Sequence, residues 1–158
     1  IFIIKLKNFM QKLIGGIGCF WDETKYEGIP GIISTECGYC GGKSSNVNYE
    51  QVCVGDTGHI EVVKVEFDPK IISYEEVARL FFKFHDPTTL HKQGPNAGYQ
   101  YRSEIFYATD EEKNIAERVL DEINKKLDGK AVTTISKIKN YVIAENYHQD
   151  YFKKKSIQ

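Results

Sequence analysis

Cys19 closes an apolar, glycine-laced run, "LIGGIG", and Phe20 and Trp21 follow it without a break. A cysteine attacks as thiolate and needs an electropositive niche to become one. If the chain turns here from strand into helix, the sulfur meets unpaired backbone N–H groups and the positive end of the helix dipole, which both favour thiolate. The two aromatics then set that thiolate against an apolar wall. A buried structural cysteine is the competing reading, and the local sequence leaves both open. Glu61 is the second candidate. In "HIEVVKVEF" the period of two places it with Val63, Val65 and Phe67, while Ile60, Val62, Lys64 and Glu66 face the other way. A carboxyl among apolar neighbours loses hydration, its pKa rises, and it can act as a general acid near neutrality. A glutamate close to the turn "GDTG" can instead escape to water, so this choice also stays open. Tyr49, Tyr99 and Tyr101 add hydroxyls in loop-like stretches, although most of the ten tyrosines must serve as packing.

Other constellations compete. Cys37-Gly-Tyr-Cys40 has the spacing of a thioredoxin-type pair, which should open a helix. The residues that follow, Gly41-Gly42-Lys43-Ser44, are loop-formers, so a dithiol oxidoreductase is not the main reading. Cys37, Cys40, Cys53 and His59 make a candidate Cys₃His zinc site, and a zinc-binding interaction module is the alternative function from a different class. His59 adjoins the Glu61 strand and is a further candidate; His85, His91 and His148 read as solvent-facing or structural.

These residues need elements to position them. Residues 12–18 read as a buried strand and 19–27 as the opening of a helix that Pro30-Gly31 ends. "IISTECGY" is a second strand, "CGGKSSNVN" a loop and "YEQVCV" a short helical turn. After the Glu61 strand, Ser73 with Glu76 forms a capping box for a helix with Val77, Leu80, Phe81 and Phe84 on one face. The loop "DPTTLHKQGPNAGYQ" is too long to be a mere connection. "RSEIFYA" is a strand, and Thr109 with Glu112 caps a helix bearing Ile115, Val119, Ile123 and Leu127, stopped by Asp128-Gly129. Two weaker strands, "AVTTISKI" and "YVIAE", precede the aromatic tail "NYHQDYF". Interleaved strands and helices predict an α+β, two-layer sandwich.

The 158 residues, 41% of them hydrophobic, suit one domain with a real core. A formal net charge of −1 makes no case for nucleic acid or an anionic membrane surface. "IFIIKLKNFM" is too short for a membrane span or a full signal peptide. Met10 reads as the natural start, giving a catalytic domain over 10–158 and an extension over 1–9. All four cysteines crowd the first third of the chain, which argues for reduced cytoplasmic thiols used in chemistry rather than for disulfide staples.

Taken together, "GCFW", "GYCGG", "YEQVCVGDTGHIEVVKVEFDP", "HDPTTLHKQGPNAGYQYRSEIFY" and "AENYHQDYF" resemble the A-type peptide methionine sulfoxide reductases, from about Lys12 to Lys155. The resemblance implies a mixed sheet with a ferredoxin-like core, and reduction of the S epimer of methionine sulfoxide, free or in proteins. It implies Cys19 as nucleophile, and Phe20 and Trp21 as the wall for the substrate's ε-methyl group. Glu61 is then the acid that protonates the sulfoxide oxygen, and Tyr49 and Tyr101 are the hydroxyls that hold it. It implies no metal or bound cofactor, only an external thiol reductant, thioredoxin-like or glutaredoxin-like, acting on a monomer. Two departures stand out. Asn96 occupies a substrate-binding position where many relatives carry Asp, so no charge is available there. Relatives often place resolving cysteines near the C-terminus, and this sequence has none after Cys53. Three thiols remain as candidates to resolve a Cys19 sulfenic acid. Cys40, beside Gly41-Gly42, can swing to Cys19 and pass the disulfide to Cys37. Cys53, four residues after Tyr49, shares a helical face with it, but a cysteine in such a turn reads as packed and slow to move. An external thiol is the other route.

Overall fold

The computed structural model describes residues 10–16, 23–55, 57–93, 96–145 and 149. Cys19, Phe20 and Trp21 lie outside the described residues, as do 1–9 and most of the aromatic tail. Strand β1 (Gln11–Gly16) is followed by a 3-10 helix at Glu23–Tyr26, and this is the described part of the helix expected over 19–27. β2 spans Ile32–Cys40, α1 Tyr49–Val54, β3 Ile60–Phe67 and α2 Tyr74–Lys83. The long loop is not featureless: it folds as a small hairpin, β4 (Lys92–Gln93) and β5 (Asn96–Ala97), and a 3-10 turn at Tyr99–Tyr101. β6 (Glu104–Tyr107), α3 (Asp110–Lys126), β7 (Thr134–Lys137) and β8 (Val142–Ile143) complete the order.

Six strands form one mixed sheet in the order β7-β6-β1-β3-β2-β8. β1 lies antiparallel to both β3 and β6, so β3–α2–β6 is a split β-α-β unit with β1 between its strands, the ferredoxin-like core. β6 and β7 pair in parallel through α3. The helices cover one face. Val77, Ala78 and Phe81 of α2 and Ala116 and Val119 of α3 bury with Leu13, Cys37, Tyr39, Val63, Val65 and Phe67. The other face carries a smaller cluster of Ile14, Cys40, Ile60, Val62 and Phe106, covered by Ile138 and Tyr141. Glu61 therefore falls on the helix-covered face with the residues that alternation gives it. β3 is buried on its other face too, at Ile60 and Val62, because a second layer of chain packs there.

The glycines of the opening run have a packing reason. A Cβ on Gly15 would stand 2.5 Å from the Phe81 ring, and one on Gly16 would meet Ile60. The bare Gly15 lets α2 press directly on one face of β1, and the bare Gly16 lets the Ile60 side chain pack on the other. The caps are also local. Ser73 and Thr109 accept from the amides of Glu76 and Glu112, and Asn48 with Gln51 forms a full capping box at the start of α1.

Candidate active site

Glu61 sits at the start of β3, opposite Tyr39 on β2. It is only 1% exposed, and its Oε1 has no hydrogen-bond partner among the described residues. Loss of hydration raises its pKa from 4.5 to about 8, so the carboxyl is largely protonated at neutral pH. Two phenols flank it. Tyr49 enters from the first turn of α1 and Tyr101 from the 3-10 turn after β5. Their side chains are hydrogen-bonded to each other. Burial pushes the Tyr49 phenol well above its usual range; its hydrogen bond to Cys53 and the charges of Tyr101 and Glu61 push the same way. Burial and then Glu61 also raise Tyr101. Tyr49, Tyr101 and Glu61 thus form a cluster of neutral O–H donors at neutral pH.

Separate devices hold the phenols in place. The Asn48 box fixes the first turn of α1. At Tyr101, the neighbouring Arg102 donates to Glu104 at 2.9 Å and stacks 3.8 Å from the Tyr99 ring centroid. Glu104 also accepts from Ser136 at 2.6 Å, so β6 and β7 both anchor the turn. Tyr99 itself lies 41% exposed against His91, outside the donor cluster. Asn96 opens β5, opposite Gln93.

The cysteines separate. Cys40 ends β2 rather than starting a loop, which corrects the sequence reading. Its thiol is buried on the side away from Glu61, donates to the Lys139 carbonyl at 3.4 Å and is pushed up by burial to about 11. Cys37 lies on the Glu61 face, fully buried, with its thiol donating to Glu23 at 3.3 Å. Two cysteines three residues apart in one strand stand about 10 Å apart and point to opposite faces. A disulfide needs Cα atoms within about 7 Å, so a Cys37–Cys40 link requires β2 to come apart. The same opposition dismantles the zinc reading. Cys37, Cys40, Cys53 and His59 cannot converge, and no group of three or more His, Cys, Asp or Glu among the described residues could hold a metal ion. Cys53 is the exposed thiol of the three described and the one hydrogen-bonded to Tyr49. His59 is 1% exposed, with Nε2 on the Ser44 carbonyl, and burial lowers its pKa. It braces the loop after β2. His85 is likewise structural, bridging Phe81 on α2 to Ser103 beside β6.

A buried protonated carboxyl beside two phenols suits a reaction that builds charge on a substrate oxygen, and the comparisons agree with that chemistry. The family model described as peptide methionine sulfoxide reductase matches residues 11–158. The chain belongs to this family. A peptide methionine sulfoxide reductase MsrA of Pelagibacter ubique is 54% identical, the match covering 92% of this chain and 100% of the relative. The fold is similar to that of Mxr1 from Saccharomyces cerevisiae in reduced form, with a TM-score of 0.88 and 35% identity over 96% of this chain and 88% of that one. It is also similar to Mxr1 in complex with Trx2, with a TM-score of 0.63 and 26% identity over 91% and 86% of the two chains. Among the described residues no helix is long and apolar enough to cross a membrane.

For a peptide methionine sulfoxide reductase, three polar residues around the cluster escaped the sequence reading. Glu23 is 1% exposed and accepts from Thr35 and Cys37. Glu145 accepts from Tyr39 and Tyr49. Gln149 bonds both backbone groups of Cys37 at 2.8 Å. The one hint was a carboxylate closing the apolar run "YVIA", which marks an acid that burial must pair.

Proposed function

We propose that the chain reduces methionine S-sulfoxide, free or in proteins, to methionine, using Cys19 as nucleophile, Glu61 as acid and Tyr49 and Tyr101 as oxygen-holding donors. The observation that carries this is the buried Glu61 carboxyl, protonated near neutrality, beside two neutral phenols. Attack of a thiolate on the sulfoxide sulfur drives negative charge onto oxygen. The phenols hydrogen-bond that oxygen and Glu61 delivers a proton to it as the S–O bond breaks. The oxygen leaves as water, and a water oxygen then adds to the Cys19 sulfur, losing a proton, as the new bond between the two sulfurs breaks, giving methionine and a sulfenic acid on Cys19. Sulfur of the substrate is reduced by two electrons and sulfur of Cys19 is oxidised by two.

A second thiol then condenses with the sulfenic acid, releasing water and leaving a disulfide, which an external dithiol reduces. Among internal thiols Cys53 is the candidate supported by exposure and by its bond to Tyr49; Cys37 and Cys40 are held in β2. A thioredoxin-like dithiol is the reductant, a reading supported by the similarity to Mxr1 in complex with Trx2. Phe20 and Trp21 form the methyl-binding wall and Asn96 a substrate contact. Residues 10–158 act as one monomeric catalytic domain in the reducing cytoplasm, with no bound cofactor.

The test is an assay on resolved sulfoxide epimers with dithiothreitol and with thioredoxin. Turnover of the S epimer alone, abolished in a folded Cys19→Ser variant, is the expected result. Comparable turnover of the R epimer, or a fully active Cys19→Ser enzyme, overturns the assignment.

A further inference from the structure

We infer that Glu145 is a positioning residue for the proposed reaction, acting on Tyr49. One carboxylate oxygen, Oε1, accepts the backbone N–H of Tyr49 at 2.8 Å, and the other, Oε2, accepts the Tyr39 hydroxyl at 2.7 Å. Those two partners flank the acid from different elements. Tyr39 is the cross-strand partner of Glu61 and fully buried, and Tyr49 brings its phenol to Glu61 from α1. A six-residue helix has little stability of its own, so its place on the sheet depends on such ties. A carboxylate on the first amide of the helix is a charge-assisted bond at the favoured end of the dipole.

The clamp is itself anchored. The amide of Ala144 donates to the Cys37 carbonyl at 2.9 Å, continuing the β2–β8 ladder by one step. Gln149 then closes around it, bonding the N–H and C=O of Cys37 and the carbonyl of Ala144. Glu145 is therefore delivered to α1 by a segment fastened to β2, the strand that pairs with Glu61. The Tyr39 hydroxyl has one proton and gives it to Glu145. Tyr39 thus serves as a wall beside Glu61, while Tyr49 and Tyr101 remain the donors.

This inference rests on the assignment of Tyr49 above, and the experiment separates the two. Single-turnover formation of the Cys19 sulfenic acid is measured for wild type, Glu145→Ala, Glu145→Gln, Tyr49→Phe and the double variant Glu145→Ala/Tyr49→Phe, with thermal unfolding of each. Glu145→Ala should slow the step by about tenfold to a hundredfold, the scale of a misplaced group, with the loss in the rate at saturating sulfoxide rather than in KM. Glu145→Gln should stay within about threefold of wild type, because its amide oxygen accepts from Tyr49 and its amide N–H donates to the Tyr39 oxygen. In the Tyr49→Phe background Glu145→Ala should cost little more, since the group it positions is gone. Additive losses overturn the inference, as does a Glu145→Gln variant as slow as Glu145→Ala. If Tyr49→Phe is as fast as wild type, the assignment of Tyr49 fails first and the inference falls with it.

Discussion

At the residue scale, the decisive quantity is the protonation of Glu61. Burial strips its hydration and raises its pKa to about 8, and its Oε1 has no hydrogen-bond partner among the described residues. Above about pH 8 the sulfenic-acid-forming step should fall tenfold per unit, as the acid is lost. Glu61→Gln keeps an N–H donor but no acidic proton. It should slow single turnover by about 10²–10⁴-fold and abolish that alkaline limb; an unchanged profile rejects the role. Cys53 makes a second prediction. After one equivalent of S-sulfoxide without reductant, thiol blocking and peptide mapping should find a Cys19–Cys53 disulfide, with Cys37 and Cys40 unoxidised in their strand. A Cys37–Cys40 disulfide instead would show that β2 opens during the cycle. Much of this chemistry was legible in the sequence, since alternation alone puts Glu61 on the face of Val63, Val65 and Phe67. Its alternative fate, escape to solvent at the strand end, was decided by what lies above it. Tyr39, Tyr49 and Tyr101 come from three other segments.

At the scale of elements, the site is a set of short pieces clamped around the start of β3, an interior strand of the sheet. α1 and the 3-10 turn at Tyr99–Tyr101 are six and three residues long and bring the two phenols. Asn48→Ala removes the side-chain acceptor of the α1 capping box. It should cost about 1 kcal/mol of stability, read from denaturant unfolding, and slow turnover through Tyr49. β1 carries the opposite case. Gly15→Ala places a methyl about where the Phe81 ring lies. Phe81 is fully buried, so α2 must move off the sheet, at ~1–3 kcal/mol. A variant with unchanged Tm contradicts that packing. The helix and strand periods announced α2, α3 and β3 well, because each has a long apolar stripe. The hairpin in the 86–100 segment and the strand placement of Cys40 were missed. Two-residue strands have no period to read, and Gly41-Gly42 spoke for a loop one residue too early.

At the scale of the whole molecule, the same acid links function to stability. Between its ordinary pKa of 4.5 and its folded value of about 8, the folded chain keeps the Glu61 proton and the unfolded chain has released it. The group's contribution is therefore complete below about pH 4.5 and is lost as pH rises through about 8, with a slope of up to ~1.4 kcal/mol per pH unit. Glu61→Gln should flatten this part of the stability–pH curve; a slope equal to that of wild type would show that other groups cause it. The fold class and the kind of chemistry were determined by the sequence itself, through two local signals. Apolar periodicity marks which face of each long element is buried, and the ordered motifs around Cys19, Glu61 and Tyr101 specify a family. What only the tertiary structure decided is which groups meet and in what state. The pKa of Glu61 comes from desolvation by segments distant in sequence. The separation of Cys37 from Cys40 comes from both lying in β2, where alternation turns them to opposite faces and each face is covered by distant segments. The Glu145 clamp spans 96 and 106 positions to Tyr49 and Tyr39. Hydration and hydrogen-bond partners are properties of assembled surroundings, and no local run of residues carries them.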